Sequence, residues 1–411
     1  MAKSSATLNP PANKSSLPTV TLSPRGASRL KSGHPWVYRS DIGPSSDAPP
    51  GATVHVLDAR GKFQGSALYS SSSQIAIRMI SREEVPDLPK LISDRIRAAG
   101  TYRQQYVQNT DACRVVFSEA DFLPGLIIDR YNDVISLQIL TQAMDTEPVR
   151  GAIIETLVEE LKPAGILERV DPRIRDLEQL PPRDSGLLWG KKSSTIITMN
   201  GDPSTGIRFH YDGLEGQKTG AFLDQRENYA AAARYAKGDA LDVFCYQGGF
   251  ALHLAPKCNS VVGVDSSRPA LEMADKNAAL NNRELDWIEA NAFDLLRDYA
   301  ASGKKYDTVV LDPPAFAKTR RDLDKARSGY KELNLRALKM LKPGGILITC
   351  SCSFHVSAPD FQETVAEAAR DAHKTLRLLE IRGASKDHPT LLNVPETSYL
   401  KCLVLNVNSL K

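Results

Sequence analysis

Two cysteines in the last quarter of the chain are the residues best suited to nucleophilic chemistry. Cys350 and Cys352 stand in ITCSCSFHV, directly after the turn sequence LKPGG. The stretch 346–350 has the length and β-branched composition of a buried strand, so Cys350 would lie within it and Cys352 just past its end. Alternation places both thiols on one face, which leaves either as the nucleophile by geometry alone. The position past the strand end favours Cys352, and Cys350 is interpreted as a buried, inert thiol.

Two acidic residues in strand–turn–helix segments could help to bind a ligand. In ALDVFCYQGGFALHLA, Asp242 opens a strand that ends in Gly248 and Gly249, where the backbone could approach a ligand closely. Asp265 ends the next strand, VVGVDSS, 23 residues later, which is a spacing at which a carboxylate can meet a ribose diol. An Asp that only caps the following helix is the open alternative. Because GxGxxG is absent, dinucleotide binding is disfavoured.

A third strand end carries Asp312, in VVLDPPAF. The two prolines behind it fix φ and remove backbone donors, which favours a rigid loop whose carbonyl groups can face a ligand. A plain turn is the alternative interpretation. Ligands of parallel sheets bind outside the carboxyl ends of the strands, and Asp265, Asp312 and Cys352 would all lie there.

The elements that must position these residues predict a multi-domain α/β protein. Residues 1–17 are polar and predict a disordered tail, whereas 18–88 contain short strands between turn residues and predict a small β-barrel. Residues 89–195 mix strands and helices, which predicts an α+β middle domain. In residues 196–411, strands and helices alternate from about position 236, which predicts a doubly wound parallel sheet with helices on both faces.

The composition is that of a globular protein without a membrane segment. The 411 residues are 42% hydrophobic and 25% charged, and no apolar run is long enough to span a bilayer. The N-terminus has no hydrophobic core of a signal peptide. Six scattered cysteines then predict free thiols in a reducing cytoplasm, and without ligand spacing they predict no metal site.

The net charge of +3 identifies no partner, but one segment behind Asp312 is locally basic. Such a run is either a solvated surface or a set of phosphate contacts to a nucleic acid. The candidate RNA-binding residues in it are Lys318, Arg320, Arg321, Lys325 and Arg327.

Taken together and in this order, LDVFCYQGGFALHLA, VVGVDSS, VVLDPPAFAK and ITCSCS resemble the class I S-adenosylmethionine-dependent methyltransferases. More narrowly, they resemble the bacterial and archaeal 23S rRNA 5-methylcytosine methyltransferases with an N-terminal PUA domain. RLKSGHPWVYRSDI is similar to the start of that PUA domain, SEADFLPGLIIDRYNDV to the middle domain, GQKTGAFLDQR to the entry into the catalytic domain and DHPTLLNVPETSYLKCLVL to the closing hairpin. The resemblance covers about residues 18–407. It implies a Rossmann-like catalytic domain, S-adenosyl-L-methionine as cofactor and ribosomal RNA as partner.

The resemblance also implies a role for each matching residue. Cys352 matches the cysteine of the T-x-S-C-S signature, and Asp312 would contact the target base or the cofactor. Asn291 stands where the family often has an Asp that faces the adenine. The cofactor-binding residues implied in this way are Phe244, Tyr246, Gly248 and Gly249 at the methionine and adenosine end, Asp265 at the ribose, Asn291 at the adenine, and Asp224 and Arg226 at the methionine moiety.

A thiol explains how such an enzyme could methylate carbon. C5 of cytosine is a poor nucleophile, and a thiolate that adds to C6 makes C5 reactive. The base must also leave its stack to reach the pocket. DPPAF lacks a second cysteine, so the base that removes the C5 proton is not identified. A purine N-methyltransferase without a Cys nucleophile and a non-catalytic RNA-binding protein are the alternatives, and whether the chain forms a homodimer stays open.

Overall fold

The computed structural model describes residues 17–43, 48–202, 204–214, 221–317 and 319–409. Residues 1–16 of the predicted tail and Lys318 of the basic segment lie outside these ranges. No helix in the described ranges is long and apolar enough to cross a membrane.

The first domain is a five-stranded sheet with strand order β1-β3-β4-β5-β2. Burial alternates along β3, TVHVL, where Val54 and Val56 are inside and their neighbours are partly exposed, so this strand has one core face. An isolated antiparallel bridge joins Leu22 to Ile42, just beyond the two edge strands, and closes the sheet on itself as the predicted barrel requires. Its elements are β1 (Thr19–Thr21), α1 (Pro24–Lys31), β2 (Trp36–Tyr38), β3 (Thr53–Leu57), β4 (Phe63–Tyr69) and β5 (Ile75–Ser81).

The middle domain is a second five-stranded sheet, with strand order β10-β9-β8-β7-β6 and helices packed against it. Strands β8 and β9 are parallel and are joined by a crossover helix, while the other neighbours are antiparallel. Its elements are α2 (Leu88–Tyr106), β6 (Ala112–Phe117), β7 (Leu126–Tyr131), β8 (Val134–Ile139), α3 (Glu147–Leu161), β9 (Gly165–Glu168), α4 (Pro172–Glu178) and β10 (Gly186–Gly190).

A two-stranded hairpin, β11 (Ser194–Met199) and β12 (Ile207–Asp212), connects the middle domain to the last one. The boundary predicted between residues 195 and 196 falls inside β11. Strand β12 lies against helix α7 (Arg268–Leu280), where Asn277 and Asn281 accept hydrogen bonds from the backbone of His210 and Arg208. The hairpin therefore packs on the last domain.

The last domain is a seven-stranded sheet with strand order β15-β14-β13-β16-β17-β19-β18. The strand order reverses between β13 and β16, which is the switch point at which α/β sheets bind ligands. The remaining elements are α5 (Arg226–Tyr235), β13 (Asp239–Val243), α6 (Gly249–Leu254), β14 (Ser260–Asp265), β15 (Asp286–Glu289), α8 (Ala292–Ala301), β16 (Tyr306–Leu311), α9 (Leu323–Met340), β17 (Leu341–Ser351), α10 (Ala358–Asp371), β18 (Lys374–Arg382) and β19 (Lys401–Ser409).

The predicted multi-domain fold with a Rossmann-like last domain is confirmed, with one correction to the sheet. Strands β13 to β17 are parallel, but β19 is antiparallel to both β17 and β18, so the sheet is mixed. Residues 387–405 were interpreted as the closing hairpin. The hairpin is instead formed by β18 and β19, so this segment contains only the connection between the two strands and the first half of β19. An amphipathic edge strand with mostly exposed residues gives a weak sequence signal.

Helices cover both faces of this sheet, as the uninterrupted apolar strands require. Helices α8, α9 and α10 pack on one face and α5, α6 and α7 on the other. Successive residues of β17 alternate between the two cores, with Leu347 in the first and Ile346, Ile348 and Cys350 in the second. Burying a side chain of leucine size stabilises the fold by about 1.5–3 kcal/mol.

Candidate active site

A cavity of about 530 Å³ opens at the carboxyl ends of β13, β14, β16 and β17. Its wall contains apolar side chains, including Phe222, Phe244 and Phe250, and a small set of polar ones. The volume and this mixture are typical of a site for a small molecule. The polar groups in its wall include Asp224, Gln225, Asp265, Asp312, Cys352 and Tyr399.

Asp265 ends β14 and faces the cavity with both carboxylate oxygens already fixed by backbone donors. Oδ2 accepts a hydrogen bond from the Tyr246 amide and Oδ1 accepts one from the Ser267 amide, both at 2.9 Å. The following helix is capped by the Ser267 side chain rather than by Asp265. Because each carboxylate oxygen can accept more than one hydrogen bond, Asp265 is held rigidly and can still accept the hydroxyl groups of a diol.

The turn after β13 is built with unusual backbone angles. Phe244 and Tyr246 have φ values of 66° and 49°, in the left-handed region that non-glycine residues rarely adopt. Such residues cost on the order of 1–2 kcal/mol each and persist where the surroundings fix them, often at functional sites. Both residues line the cavity. Large side chains therefore stand where a nucleotide-binding turn would have glycines, yet their backbone adopts the positive φ angles that glycine usually provides.

Gly249 and Asp242 complete this turn from the inside. A Cβ on Gly249 would lie 2.5 Å from Cζ of Tyr229, so only glycine allows the ring to pack there. Oδ2 of Asp242 accepts a hydrogen bond of 2.8 Å from the Ala251 amide at the start of α6. Burial raises the pKa of this carboxyl group to about 8, with the charges of Asp312 and Asp265 acting in the same direction. Asp242 thus binds a backbone amide at the start of α6, the place where the sequence analysis expected the backbone to approach a ligand.

Asp312 follows β16 and is held by a residue that the sequence analysis did not single out. The Gln225 amide donates to Oδ1 of Asp312 at 2.8 Å, and the Asp312 backbone amide donates to the Val243 carbonyl. Gln225 stands between two residues that were singled out, Asp224 and Arg226, but no periodicity distinguishes it from them. Its side chain is buried, and its orientation depends on the packing of the domain.

The two cysteines of ITCSCSFHV differ in environment as expected. Cys350 is fully buried in the core beside Cys402, and burial raises its pKa well above the ordinary thiol value. Cys352 lies past the end of β17, is partly exposed and lines the cavity. Its thiol donates to the Pro313 carbonyl, with Sγ 3.7 Å from the oxygen. The structure therefore brings Cys352 to the DPP loop and leaves Cys350 beneath it.

Ser353 fixes the spacing between these two strand ends. Its hydroxyl accepts hydrogen bonds from the Phe316 and Ala317 amides, at 3.1 and 3.2 Å, and shares a third of 2.9 Å with the Tyr330 hydroxyl. These contacts tie the loop after β16 to the end of β17. The thiol of Cys352 and the carboxylate of Asp312 consequently lie on adjoining, mutually braced loops.

Three of the residues implied at the cofactor site lie outside the cavity wall. Arg226 is only 2% exposed and pairs with the buried Asp387 at 3.5 Å. The Asn291 amide oxygen caps α8 by accepting from the Phe293 and Asp294 amides. Gly248 has a φ of 84° and supports the turn from behind, beside Trp287. By contrast Asp224 does line the cavity and accepts a hydrogen bond from Tyr399.

The basic segment begins directly after the loop that carries Asp312. Arg320, Arg321 and Lys325 are exposed, and the described residues offer them no ion pair. Arg327 instead pairs with Glu363 of α10 at 3.0 Å. The cations without an ion pair to another described residue are therefore the ones closer in sequence to Asp312, whereas Arg327 already has an acidic partner.

Two residues at the site, Tyr399 and Lys401, were not singled out by the sequence analysis, because they are far along the chain from the other site residues. Tyr399 lines the cavity, and the Lys401 ammonium donates to the Ser353 and Tyr399 carbonyls at 2.6 and 2.8 Å. Neither residue belongs to a motif with recognisable spacing. Only the antiparallel pairing of β19 with β17, which sets Lys401 opposite Ser351, brings them to the site.

Another depression, of about 890 Å³, lies near the start of β14 and is lined by residues such as Cys258, Asp275 and Arg283. It is wide and polar, and it is at the amino ends of the strands, where α/β sheets do not form their ligand sites. The carboxyl-end cavity is therefore the candidate active site.

Comparison with known proteins identifies relatives of the first and last domains and of nearly the whole chain. Residues 20–82 match a family described as a PUA-like domain, and residues 184–406 match the S-adenosylmethionine-dependent methyltransferases. The chain is 37% identical to ribosomal RNA large subunit methyltransferase I of Pseudoalteromonas translucida, over 92% of this chain and 96% of that one. It is 38% identical to the protein of that name from Shewanella frigidimarina, over 94% and 99% of the two chains.

Solved structures share the fold over nearly the whole chain. SMU.776, described as a methyltransferase complexed with SAH, superposes with a TM-score of 0.79 over 94% of this chain and 99% of its own. A methyltransferase from Streptococcus mutans gives a TM-score of 0.78 with the same coverage. Both are 18% identical to this chain, so they support the arrangement of the three domains and no more.

Proposed function

Since this chain belongs to the S-adenosylmethionine-dependent methyltransferases, and within them to the family of ribosomal RNA large subunit methyltransferase I, we propose that it methylates C5 of a cytosine in large-subunit (23S) ribosomal RNA. The observation that carries this proposal is the thiol of Cys352 in the wall of the same cavity as Asp265 and Asp312. A methyltransferase that acts on nitrogen needs no such thiol, because a nitrogen lone pair attacks a methyl group directly.

The residues around the cavity fit S-adenosylmethionine. Asp265 presents a fixed carboxylate to a ribose, and Phe244 and Tyr246 give the apolar surface that an adenosine and the methylene groups of a methionine moiety need. Asp224 offers an anion to the amino group of a methionine moiety. Asn291 lies outside the cavity wall and uses its amide oxygen to cap α8, so only its amide nitrogen would serve as a donor to an adenine, whereas Arg226 would act only indirectly through the segment it anchors. The cofactor supplies an electrophilic methyl group when bound.

Cys352 would act on the base. Its sulfur forms a bond to C6, and the electron pair of the C5–C6 double bond becomes available at C5 for a new bond to the methyl carbon. The bond between that carbon and the sulfonium sulfur would break, its electron pair would stay on sulfur, and S-adenosylhomocysteine would be the leaving group. After C5 has been methylated, loss of the C5 proton returns an electron pair to the ring and breaks the bond between sulfur and C6. The thiolate is thus regenerated, and the atoms balance with one methyl group gained and one proton lost.

Asp312 is the group that would recognise the ring during these steps. It sits on the loop beside Cys352, and the Gln225 amide holds one of its oxygens in place at 2.8 Å. A carboxyl group there could hydrogen-bond the N3 edge of cytosine and stabilise the charge that forms on addition of sulfur. The group that accepts the C5 proton is not assigned.

The partner proposed for this site is single-stranded or locally opened ribosomal RNA. A cytosine must be unstacked before C6 can reach a thiol at the bottom of a cavity. The exposed Arg320, Arg321 and Lys325 follow the Asp312 loop in the chain and suit phosphate contacts, and the PUA-like domain would add a second surface for the RNA.

Mapping of the product tests this proposal most directly. Ribosomal RNA would be incubated with the enzyme and methyl-labelled cofactor, digested, and analysed by mass spectrometry for modified nucleosides. We expect labelled 5-methylcytidine at one position. A labelled N-methylpurine would replace the proposal by the nitrogen-methylating alternative, and measurable cofactor binding without any labelled RNA would indicate a non-catalytic protein.

A further inference from the structure

Lys401 is a buried cation whose surroundings are unusual. The side chain is 7% exposed and stands at the first position of β19, opposite Ser351. Its ammonium donates hydrogen bonds to two neutral acceptors, the Ser353 and Tyr399 carbonyls. Within the described ranges no carboxylate lies within ion-pair distance of it. A buried charge without an anion is costly, so such a group needs a reason to be there.

The missing anion has a natural candidate in Cys352. Ser351, which pairs with Lys401 across the strands, precedes this cysteine, and Ser353, whose carbonyl takes the 2.6 Å hydrogen bond, follows it. The ammonium is therefore bound to the same short stretch of backbone that carries the thiol. A thiolate at Cys352 would complete the charge balance that Lys401 lacks.

The other titratable groups around the thiol do not supply a positive charge. Tyr330 approaches from α9 and Tyr399 from the segment before β19, and burial raises the pKa of both hydroxyl groups, so both are neutral at pH 7. Asp312, on the DPP loop, would oppose a thiolate if it were ionised. Burial lowers the pKa of Lys401 to about 8, while a charged Cys352 acts in the opposite direction, so the ammonium stays mostly protonated at neutral pH.

We propose that Lys401 is the positioning residue that holds Cys352 as a thiolate ready for attack on C6. The thiol gives up its hydrogen bond to the Pro313 carbonyl and loses its proton to solvent, and the ammonium keeps its three protons and stabilises the resulting charge. This inference rests on the proposed function, because the thiolate has a role only if Cys352 is the nucleophile. It also explains why a lysine, rather than an apolar residue, starts a buried strand.

The test measures the thiol itself instead of methyl transfer. Full-length protein is alkylated with iodoacetamide over a range of pH, and the rate at Cys352 is followed by mass spectrometry of the peptide that contains it. In the wild type we expect the rate to rise with a midpoint below the ordinary thiol value of about 8.5. In Lys401→Met we expect the rate at pH 7 to fall tenfold or more, since a nearby opposite charge shifts a pKa by about 1–3 units.

Two matched variants separate charge from packing. Lys401→Arg keeps the charge and should stay within about threefold of the wild-type rate, as expected for an effect of charge. Lys374→Met makes the same change on β18 at the opposite end of the sheet, beside Ser409, and should leave the rate at Cys352 unchanged. The partly exposed Cys258 serves as an internal standard in every digest.

The inference is overturned if Lys401→Met alkylates Cys352 at the wild-type rate while cofactor affinity shows that the variant is folded. If that variant does not fold, the wild-type profile decides alone, and a midpoint at or above the ordinary thiol value contradicts the inference. Neither outcome depends on turnover. A fully active Cys352→Ala variant would instead refute the proposed function, so the two failures are distinguishable.

Discussion

At the scale of single residues, position relative to a strand end decides the chemistry of otherwise equivalent groups. Cys350 and Cys352 are two residues apart, yet one is fully buried against Cys402 and the other lies in the cavity wall. A difference in exposure likewise separates Asp224, which faces the cavity from the turn before α5, from Arg226, which begins α5 and is buried against Asp387. Proximity in sequence therefore does not give neighbouring residues a shared role.

Replacement of Cys352 tests the nucleophile. We expect Cys352→Ala to lose methyl transfer by about 10³-fold or more, because without the sulfur C5 stays unreactive. Its affinity for S-adenosylmethionine should change little, since Asp224, Asp265 and the aromatic side chains of the cavity wall would make the contacts to that ligand. Incorporation of labelled methyl groups and calorimetric titration of the cofactor measure the two effects.

Cys350→Ala is the matched control for that substitution. It removes a sulfur from the core beside Cys402 and should cost about 1 kcal/mol of stability, with activity retained within a few-fold. Loss of turnover in Cys350→Ala with a normal melting temperature would mean that the assignment of the two cysteines is wrong.

At the scale of elements, short segments fix the site through polar contacts that periodicity does not reveal. Helix α6 begins at the turn after β13, and its His253 is buried between two partners. Nδ1 lies 2.7 Å from the Gly249 carbonyl and Nε2 lies 2.9 Å from Nδ2 of Asn200, in the loop between β11 and β12. One ring nitrogen must donate and the other accept, which fixes a neutral imidazole.

The buried imidazole of His253 makes stability depend on pH. Burial lowers its pKa from 6.5 to about 4. Below pH 6.5 the unfolded chain binds a proton that the folded chain does not, so the stabilisation is complete above 6.5 and is lost as the pH falls toward 4, by about 1.4 kcal/mol per unit. Denaturant unfolding of the wild type and of His253→Gln should show a difference that shrinks over this range.

A matched variant isolates this effect from the other ionisable groups. Asp242, whose pKa is raised to about 8, acts with the opposite sign between about pH 4 and 8, but it is present in both proteins and cancels in the comparison. His210→Gln changes an exposed imidazole on β12 and should retain the wild-type pH dependence. A pH-independent difference between wild type and His253→Gln would contradict the buried neutral form.

The basic turn before α9 is the element expected to contact RNA phosphates. We expect the double substitution Arg320→Glu and Arg321→Glu to weaken RNA binding regardless of sequence and to lower the slope of log K against log salt by about 1.4 or more. The pair Lys257→Glu and Arg283→Glu makes the same change in charge at the amino ends of the strands. Filter binding at several salt concentrations measures the RNA affinity of both variants, and the control should bind like the wild type. An equal loss of RNA affinity in both variants would contradict the assignment of the turn.

At the scale of the whole molecule, buried polar contacts join the three domains. Arg78 of the first domain pairs with Glu178 of the middle domain at 3.2 Å, with side chains 10% and 5% exposed, and Ser70 donates to the same carboxylate. Arg103 of the middle domain donates to the Asp387 carbonyl, in the connection that leads to Tyr399 and Lys401. The PUA-like domain is therefore fixed relative to the cavity rather than loosely tethered.

Removal of Arg78 tests that connection. Arg78→Met leaves Glu178 buried without its cation and should lower the free energy of unfolding by about 3 kcal/mol. The double variant with Glu178→Leu should recover most of the loss, because two apolar residues need no counter-charge. Chemical denaturation of both variants measures the coupling, and independent, additive effects would show that the pair does not join the domains.

The sequence by itself determined the order of the domains, the strand-end motifs and the residue types at the reacting positions. Apolar strands between turn residues, and carboxylates or a thiol directly behind them, are local patterns that follow from backbone geometry. The tertiary structure alone decided that β19 runs antiparallel beside β17, that Gln225 holds Asp312, and that Lys401 lies behind Cys352. Those contacts join residues 48 or more positions apart, and only packing of the whole sheet brings such groups within hydrogen-bond distance.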